Sequence, residues 1–207
     1  RLGRGPNLEM LRRITNKRLS TPLCYMGGIR DPQDALAVTR AGADRVAMDA
    51  LFRSEPEKCQ RIADAVGRQA VIRALPIVKK AQETWFEYDH ITGRNLGPID
   101  YETIDNQKNY ISELMVTDVA AEGNLDSFSH EIVDLFSGSA TQIICFGGIT
   151  TSESVEKLFA KEQVSAVAIG NSLSYREIAH KSLISESIVE VARATSFGDL
   201  TKGARDW

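Results

Sequence analysis

No apolar run in this sequence approaches the roughly 20 residues that a bilayer-spanning helix requires, and no signal-like stretch opens it. Positive charge is not in excess. Lys and Arg number 25 against 28 Asp and Glu, a net charge of -3, which gives no electrostatic reason to expect nucleic acid or an anionic membrane as partner. Cysteine is scarce: Cys24, Cys59 and Cys145 are an odd, widely spaced set without metal-ligand spacing. Two fall in expected buried strands and one in an expected helix, so all three read as small core residues of a reducing, cytoplasmic compartment. His90, His130 and His180 share no ligand spacing either. They are assigned to surface or helix roles, and neither a metal nor a cofactor is expected.

What the sequence does contain is repetition. The 207 residues are 43% hydrophobic and 26% charged, enough to bury one sizeable core, and a single domain over 1–207 is the expectation. Leu23 to Ala50 holds an apolar run ending in Gly27-Gly28, a helical segment from Pro32 to Arg40, a Gly42 break and a second apolar run ending at Asp49. This is a strand–loop–helix–strand unit, the building block of a parallel sheet. Ile144-Cys145-Phe146-Gly147-Gly148-Ile149 repeats its first strand end 120 residues later, and Val167-Ala168-Ile169-Gly170 repeats the second. A long internal period of this kind marks duplicated architecture.

The remaining pattern alternates. Asn7 caps a helix carrying Leu8, Leu11, Ile14 and Leu19. Ser54 before Pro56 reads as the cap of the next helix but one, whose apolar face is Cys59, Ile62, Ala63 and Val66. Gln69 to Val78 is a strand, almost wholly apolar apart from Arg73. Trp85 to Asp100 breaks the pattern with period-two alternation and a Thr92-Gly93-Arg94-Asn95 turn, and reads as a hairpin inserted over 85–100. A helix near Tyr101, a strand from Glu113 to Val119, a short helix from Phe128 to Phe136 and a strand from Thr141 to Phe146 follow. A helix over 151–160, a strand from Ala166 to Ile169 and helices over 175–184 and 187–194 complete the chain.

Strands this apolar are covered on both faces. An open doubly wound sheet and a (β/α)8 barrel both satisfy that pattern. The period selects the TIM barrel. Four βα units of about 30 residues make one 120-residue half, and two halves make a barrel of ordinary size. By that symmetry the chain, which begins at Arg1, lacks the first strand, first helix and second strand. A six-stranded open form is the alternative, and open edges at Leu23 and the last strand favour pairing with another copy as a homo-oligomer.

Active sites of such barrels lie at the C-terminal ends of the strands. There the chain places Gly27-Gly28, Asp49, Pro76, Asp118, Gly123, Gly147-Gly148 and Gly170-Asn171. Glycine pairs let backbone N–H groups approach an anion, and the next helix N-terminus adds its dipole. The same glycines also serve simple tight βα turns. Two matched turns in opposite half-barrels point to two phosphate sites across one mouth.

At this point G-G-I-R-D-P-Q-D-A, A-G-A-D-R-V-A, G-R-Q-A-V-I and the closing Y-R-E-I identify a resemblance from about Pro6 to Glu177. The sequence resembles the cyclase subunit of imidazole glycerol phosphate synthase, a phosphate-binding barrel of histidine biosynthesis. The resemblance implies a glutaminase partner whose ammonia crosses the barrel. It also implies ring closure on a doubly phosphorylated ribulosyl substrate, yielding imidazole glycerol phosphate and an aminoimidazole carboxamide ribotide. Carried across, the phosphate-binding positions are Gly28, Gly123, Gly147, Gly148, Gly170 and Asn171. Arg45 and Glu113 match the charged ring at the ammonia entrance, where a structural ion pair or plain solvated charges are the alternatives.

Three positions depart from the family pattern. Its two aspartates act as general acid and base. The first belongs to the absent first strand, and Pro76 stands in place of the second. Asp49 occupies the position of a neutral amide near a phosphate, which a carboxylate repels. Asp118 is a carboxylate the pattern does not require. Asp49 and Asp118 are therefore the candidate catalytic residues. A paralogue that passes ammonia to another substrate, as in amidation of surface sugars, or a non-catalytic phosphate-binding or scaffolding barrel are the other readings. A sister isomerase barrel of histidine biosynthesis also needs paired aspartates, and Pro76 argues against it equally.

Overall fold

The structure is a computed structural model that describes residues 4–17, 20–80 and 84–170. Leu19, Asn171, His180 and the helices expected over 175–184 and 187–194 lie outside the described residues. Strands and helices alternate in an α/β, TIM-barrel-like arrangement, and the chain divides into two units, Arg1–Pro76 with Glu87–Met115, and Ile77–Phe86 with Val116–Trp207.

The first unit opens with helix α1 (Leu8–Thr15), where the Asn7 side chain accepts a hydrogen bond from the Met10 amide. Strand β1 (Cys24–Met26), helix α2 (Pro32–Arg40), strand β2 (Arg45–Met48), helices α3 (Ala50–Ser54) and α4 (Pro56–Val66), and the start of strand β3 (Val71–Lys79) follow. β1, β2 and β3 pair in parallel, with Tyr25 opposite Val46 and Met48 opposite Arg73. Hairpin strands β4 (Trp85–Asp89) and β5 (Arg94–Pro98) pair with each other, and β4 also pairs with β3. Helix α5 (Tyr101–Asn106) leads to strand β6 (Glu113–Asp118), whose neighbour in the sheet is β3. At that junction the Ser112 amide donates to the Val71 carbonyl at 2.8 Å. Ala35 and Val38 of α2, Cys59 and Ile62 of α4, Phe52, Val46 and Val71 form one buried core, as the period-3.6 stripes and apolar strands require.

In the second unit the end of β6 lies between β3 and strand β7 (Gln142–Phe146), and β7 pairs in parallel with strand β8 (Val164–Ala168). Helix α6 (Ser152–Phe159) joins them, burying Val155 and Leu158. Trp85 is buried, with the Lys79 ammonium 5.9 Å from its ring centre. Among the described residues no helix is long and apolar enough to cross a membrane.

Several local expectations need correction. Cys24 is exposed, because β1 is only three residues long and buries none of its side chains fully. Ser54 does not cap α4. The Asp49–Ser54 turn is itself helical, so Ser54 ends α3 and its hydroxyl donates back to the Ala50 carbonyl at 3.1 Å, while Glu55 stands at the N-cap without a side-chain bond. The helix expected from Phe128 is a 3-10 helix over His130–Phe136. The last described strand begins at Val164, ahead of Ala166.

The repeat survives in backbone detail. Gly27 and Gly147 have φ of 118° and 106°, and Gly28 and Gly148 both have φ of 71°. These left-handed values favour glycine. Equivalent caps follow: Asp31 Oδ1 accepts from the Asp34 amide at 2.9 Å, and Thr151 Oγ1 from the Ser154 amide at 3.2 Å. A Cβ on Gly148 would lie 2.5 Å from Ser127 Oγ and 2.7 Å from the Ala121 carbonyl oxygen. Gly148→Ala is therefore expected to destabilise the fold by about 2 kcal/mol or more, from left-handed strain plus collision, read as a lower urea midpoint with an unchanged denaturant slope.

Candidate functional site

In the first unit a concavity of about 180 Å³ opens where β1 and β2 end. Gly27, Gly28 and Ile29 form one wall, Met48, Asp49 and Ala50 another, and Ile91 of the β4–β5 loop contributes from the hairpin. Gly28 cannot carry a side chain, because its Cβ would lie 2.7 Å from the Gly5 carbonyl carbon. The turn is therefore held by the chain segment before α1 as well as by its own dihedrals.

Asp49 is not a free carboxylate. It is ion-paired with Arg53, one helical turn along α3. Arg53 Nη1 also donates to Glu87 Oε1 at 3.0 Å, and Nη2 to Asp89 Oδ1 at 3.4 Å. Asp89 shapes the hairpin turn, accepting from the Ile91 amide at 2.9 Å and the Thr92 hydroxyl at 2.7 Å. Those bonds, led by the Thr92 hydroxyl, hold its carboxyl below the ordinary value. Burial pushes Asp49 the other way, above its ordinary value, and outweighs the pull of Arg53.

Beneath this lies Arg73, 3% exposed, the one buried charge of β3. Its Nη1 donates to the buried Gln107 Oε1 at 2.5 Å and its Nη2 to Glu87 Oε1 at 3.3 Å. The guanidinium sits 5.6 Å from the Phe52 ring centre, and Phe52 stacks on Tyr110. Arg53, Arg73, Glu87, Asp89 and Gln107 were not expected from the sequence as one cluster. Two signals pointed to it: an arginine inside an otherwise apolar run, and acids at alternate positions of Trp85-Phe86-Glu87-Tyr88-Asp89. Removing one partner of a buried charged group leaves the others unpaired. Arg73→Ala is expected to lower stability by about 3–5 kcal/mol, and Arg73→Met, which refills the volume, to lose less; urea unfolding of the two variants side by side measures the difference.

Arg45 and Glu113 form an ion pair. They open β2 and β6, which flank β3, so their side chains meet across the intervening strand at the end opposite Gly27-Gly28. This is the layer geometry of alternate barrel strands.

The second unit gathers Asp118, Gly123, Gly147 and Gly148 in one loop cluster. Asp118 is 2% exposed. Its Oδ1 accepts from the Ala121 amide at 3.3 Å and its Oδ2 from the Ser129 amide at 3.1 Å, so it ties both ends of the loop after β6. Gly147 lies against the Asp118 carbonyl oxygen, 2.6 Å from where a Cβ would stand. The Ser127 amide donates to the Gly148 carbonyl at 3.0 Å, and the Thr151 hydroxyl donates to Asp126 at 2.8 Å. Gly123, φ 81°, faces open space. Gly170 follows β8 against the Phe146 ring, and Asn171 falls outside the described residues. Among the described residues no group of His, Cys, Asp and Glu side chains is arranged to hold a metal ion.

Residues 1–179 match the family model of the histidine biosynthesis protein family. The chain belongs to that family. Among curated relatives it is 32% identical over 170 residues to the imidazole glycerol phosphate synthase subunit HisF of Acidobacterium capsulatum, covering 79% of this chain and 65% of that protein. It is 25% identical over 158 residues to HisF of Dictyoglomus thermophilum, covering 75% and 62%. It is 26% identical over 193 residues to HisF of Natranaerobius thermophilus, covering 91% and 76%. The chain thus spans less than two thirds of the length of the first two.

His130 bridges elements beside the second glycine turn. Its Nε2 lies 3.0 Å from Ser154 Oγ and its ring meets Phe128 edge-on. Burial first, then Lys157 and Lys161, hold the imidazole below its ordinary value of 6.5. The folded state therefore resists the proton that the unfolded chain accepts. Stability is full above the unfolded value and falls as pH drops through it. A thermal unfolding series from neutral to mildly acidic pH is expected to show that loss, with His130→Gln flattening the slope.

Proposed function

We propose that this chain is a cyclase-type barrel of the histidine biosynthesis family. In this reading it uses ammonia from a glutaminase partner to close an imidazole ring on a doubly phosphorylated ribulosyl aminoimidazole carboxamide, giving imidazole glycerol phosphate. The observation that carries this is the conformational identity of the two glycine turns, Gly27-Gly28 and Gly147-Gly148, at matched strand ends, in a chain of that family. Backbone amides at such turns, each followed by a helix N-terminus at α2 or α6, favour the anionic ends of a phosphorylated substrate. Gly123 supplies open backbone on the second side. Arg45 and Glu113 are the proposed gate for ammonia, because a charged pair at the strand starts is what an entering small base meets first.

A second reading has its own observations. Pro76 stands within β3 and carries no proton to exchange, Asp49 is engaged by Arg53, and Asp118 is engaged by two backbone amides. Those features favour a family member that delivers ammonia to a different acceptor, such as a surface sugar. Turnover of the doubly phosphorylated substrate with added ammonium separates the two. The standard reading expects imidazole glycerol phosphate; its absence at saturating ammonia, with a glutaminase still co-purifying with the chain, favours the second. Pro76→Asp is expected not to create ring closure where the unaltered chain shows none, since one carboxylate is half of an acid–base pair. Product from that variant would overturn the claim that one restored carboxylate is insufficient for ring closure.

A further inference from the structure

The residues around the Gly27-Gly28 concavity include one that carries a negative charge, Asp49. A phosphorylated ligand with its anionic end on that turn meets this charge, and an unopposed carboxylate would repel it. The opposing charge comes from Arg53, one turn along α3, the one ion-pair partner of Asp49 among the described residues. Arg53 does not line the concavity. The two side chains are 15% and 18% exposed, so their attraction is weakly screened.

Arg53 is shared among three carboxylates, but they depend on it unequally. Glu87 has a second cation, because Arg73 Nη2 lies 3.3 and 3.4 Å from its two oxygens. Asp89 is 3.4 Å from Arg53 and is met within its own turn by the Ile91 and Thr92 amides and the Thr92 hydroxyl. Asp49 has no such alternative. Among the described residues its carboxylate accepts from Arg53 alone. Burial raises the Asp49 carboxyl, and Arg53 is the chief group opposing that rise, with a smaller pull from His90 and a contrary push from Glu87. By pairing with Glu87, the buried Arg73 leaves more of the Arg53 charge to Asp49.

We propose that Arg53 is a positioning residue of the Gly27-Gly28 subsite: it offsets the charge of Asp49 beside the turn and so lets the turn hold a phosphate group, without itself touching the ligand. This rests on the reading that the Gly27-Gly28 turn takes the anionic end of a phosphorylated ligand, and it concerns residues of the first unit alone.

Amide resonances of Gly27 and Gly28 in the full chain, titrated with methyl phosphate at pH 8, where the probe is close to dianionic, test it. Those of Gly147 and Gly148 are the control. The unaltered chain is expected to show saturable shifts at Gly27 and Gly28. Arg53→Gln is expected to weaken the probe there by about tenfold, and Arg53→Lys, which keeps the charge, by less than about threefold. Adding Asp49→Asn to Arg53→Gln is expected to restore the affinity of the unaltered chain, because the charge to be offset is gone. That rescue separates charge from scaffolding, since it does nothing for a hairpin released from Arg53. Unchanged affinity in Arg53→Gln, an equal loss at Gly147 and Gly148, or no recovery in the double variant would overturn the proposal and leave the proposed function standing. Silence of Gly27 and Gly28 in the unaltered chain would instead overturn the phosphate reading of that turn, and the proposal with it. If Arg53→Gln does not fold, Asp49→Asn alone decides: equal or tighter binding of methyl phosphate supports the role of Arg53, and any weakening overturns it.

Discussion

The first unit depends on Arg73. A guanidinium 3% exposed in an otherwise apolar stretch needs charged and polar partners, since an unpaired buried charge is among the most unfavourable features a fold can contain. Gln107 takes Nη1 and Glu87 takes Nη2, with the Phe52 ring 5.6 Å away, while the buried Nε makes no hydrogen bond among the described residues. Pairing the two Nη groups therefore fixes three segments at once: the 3-10 turn after α5, the hairpin and α3. Glu87 then meets Arg53, and Arg53 meets Asp49. The position of the carboxylate at the strand end thus follows from a charge buried two strand residues before Leu75.

That chain of contacts explains why the two repeats diverge in chemistry while agreeing in backbone. Gly28, Gly147 and Gly148 are constrained twice, by left-handed φ and by atoms where a Cβ would stand, and Gly27 by its φ alone. Side chains at the neighbouring strand ends carry no such constraint. Asp49 in the first repeat is drawn into an arginine network, whereas in the second repeat the equivalent work of holding the loop falls to Asp118, through backbone amides. Each aspartate is engaged, but the Asp118 carboxylate is capped at both oxygens by N–H donors, whereas Asp49 is held at Oδ1 by Arg53.

Much of the architecture was legible because it is periodic. The βα alternation, the glycine turns, the cap at Asn7 and the pairing of Arg45 with Glu113 as one of the open readings all follow from local pattern. The misreadings came where a local signal had two physical uses. Ser54-Glu55-Pro56 is a good helix start, but the preceding residues were already helical, so the serine hydroxyl turned back to Ala50. Cys24 looked buried by its apolar neighbours, yet a three-residue strand leaves it exposed. The Arg53–Arg73 cluster was out of reach for a different reason. Its members are separated by up to 54 positions, and nothing in Gln107 or Glu87 taken alone distinguishes a buried partner from a solvated side chain.

Asp49 shows how a family frame and a local change combine. A carboxylate at a strand end sets two balances together: it opposes an anion and it supplies an acceptor. Burial pushes the Asp49 carboxyl above its ordinary value, and Arg53 pulls it back without outweighing that cost. Arg53 is at the same time shared with Glu87 and Asp89 of the hairpin, so the network that restrains Asp49 also ties α3 to the position of the hairpin.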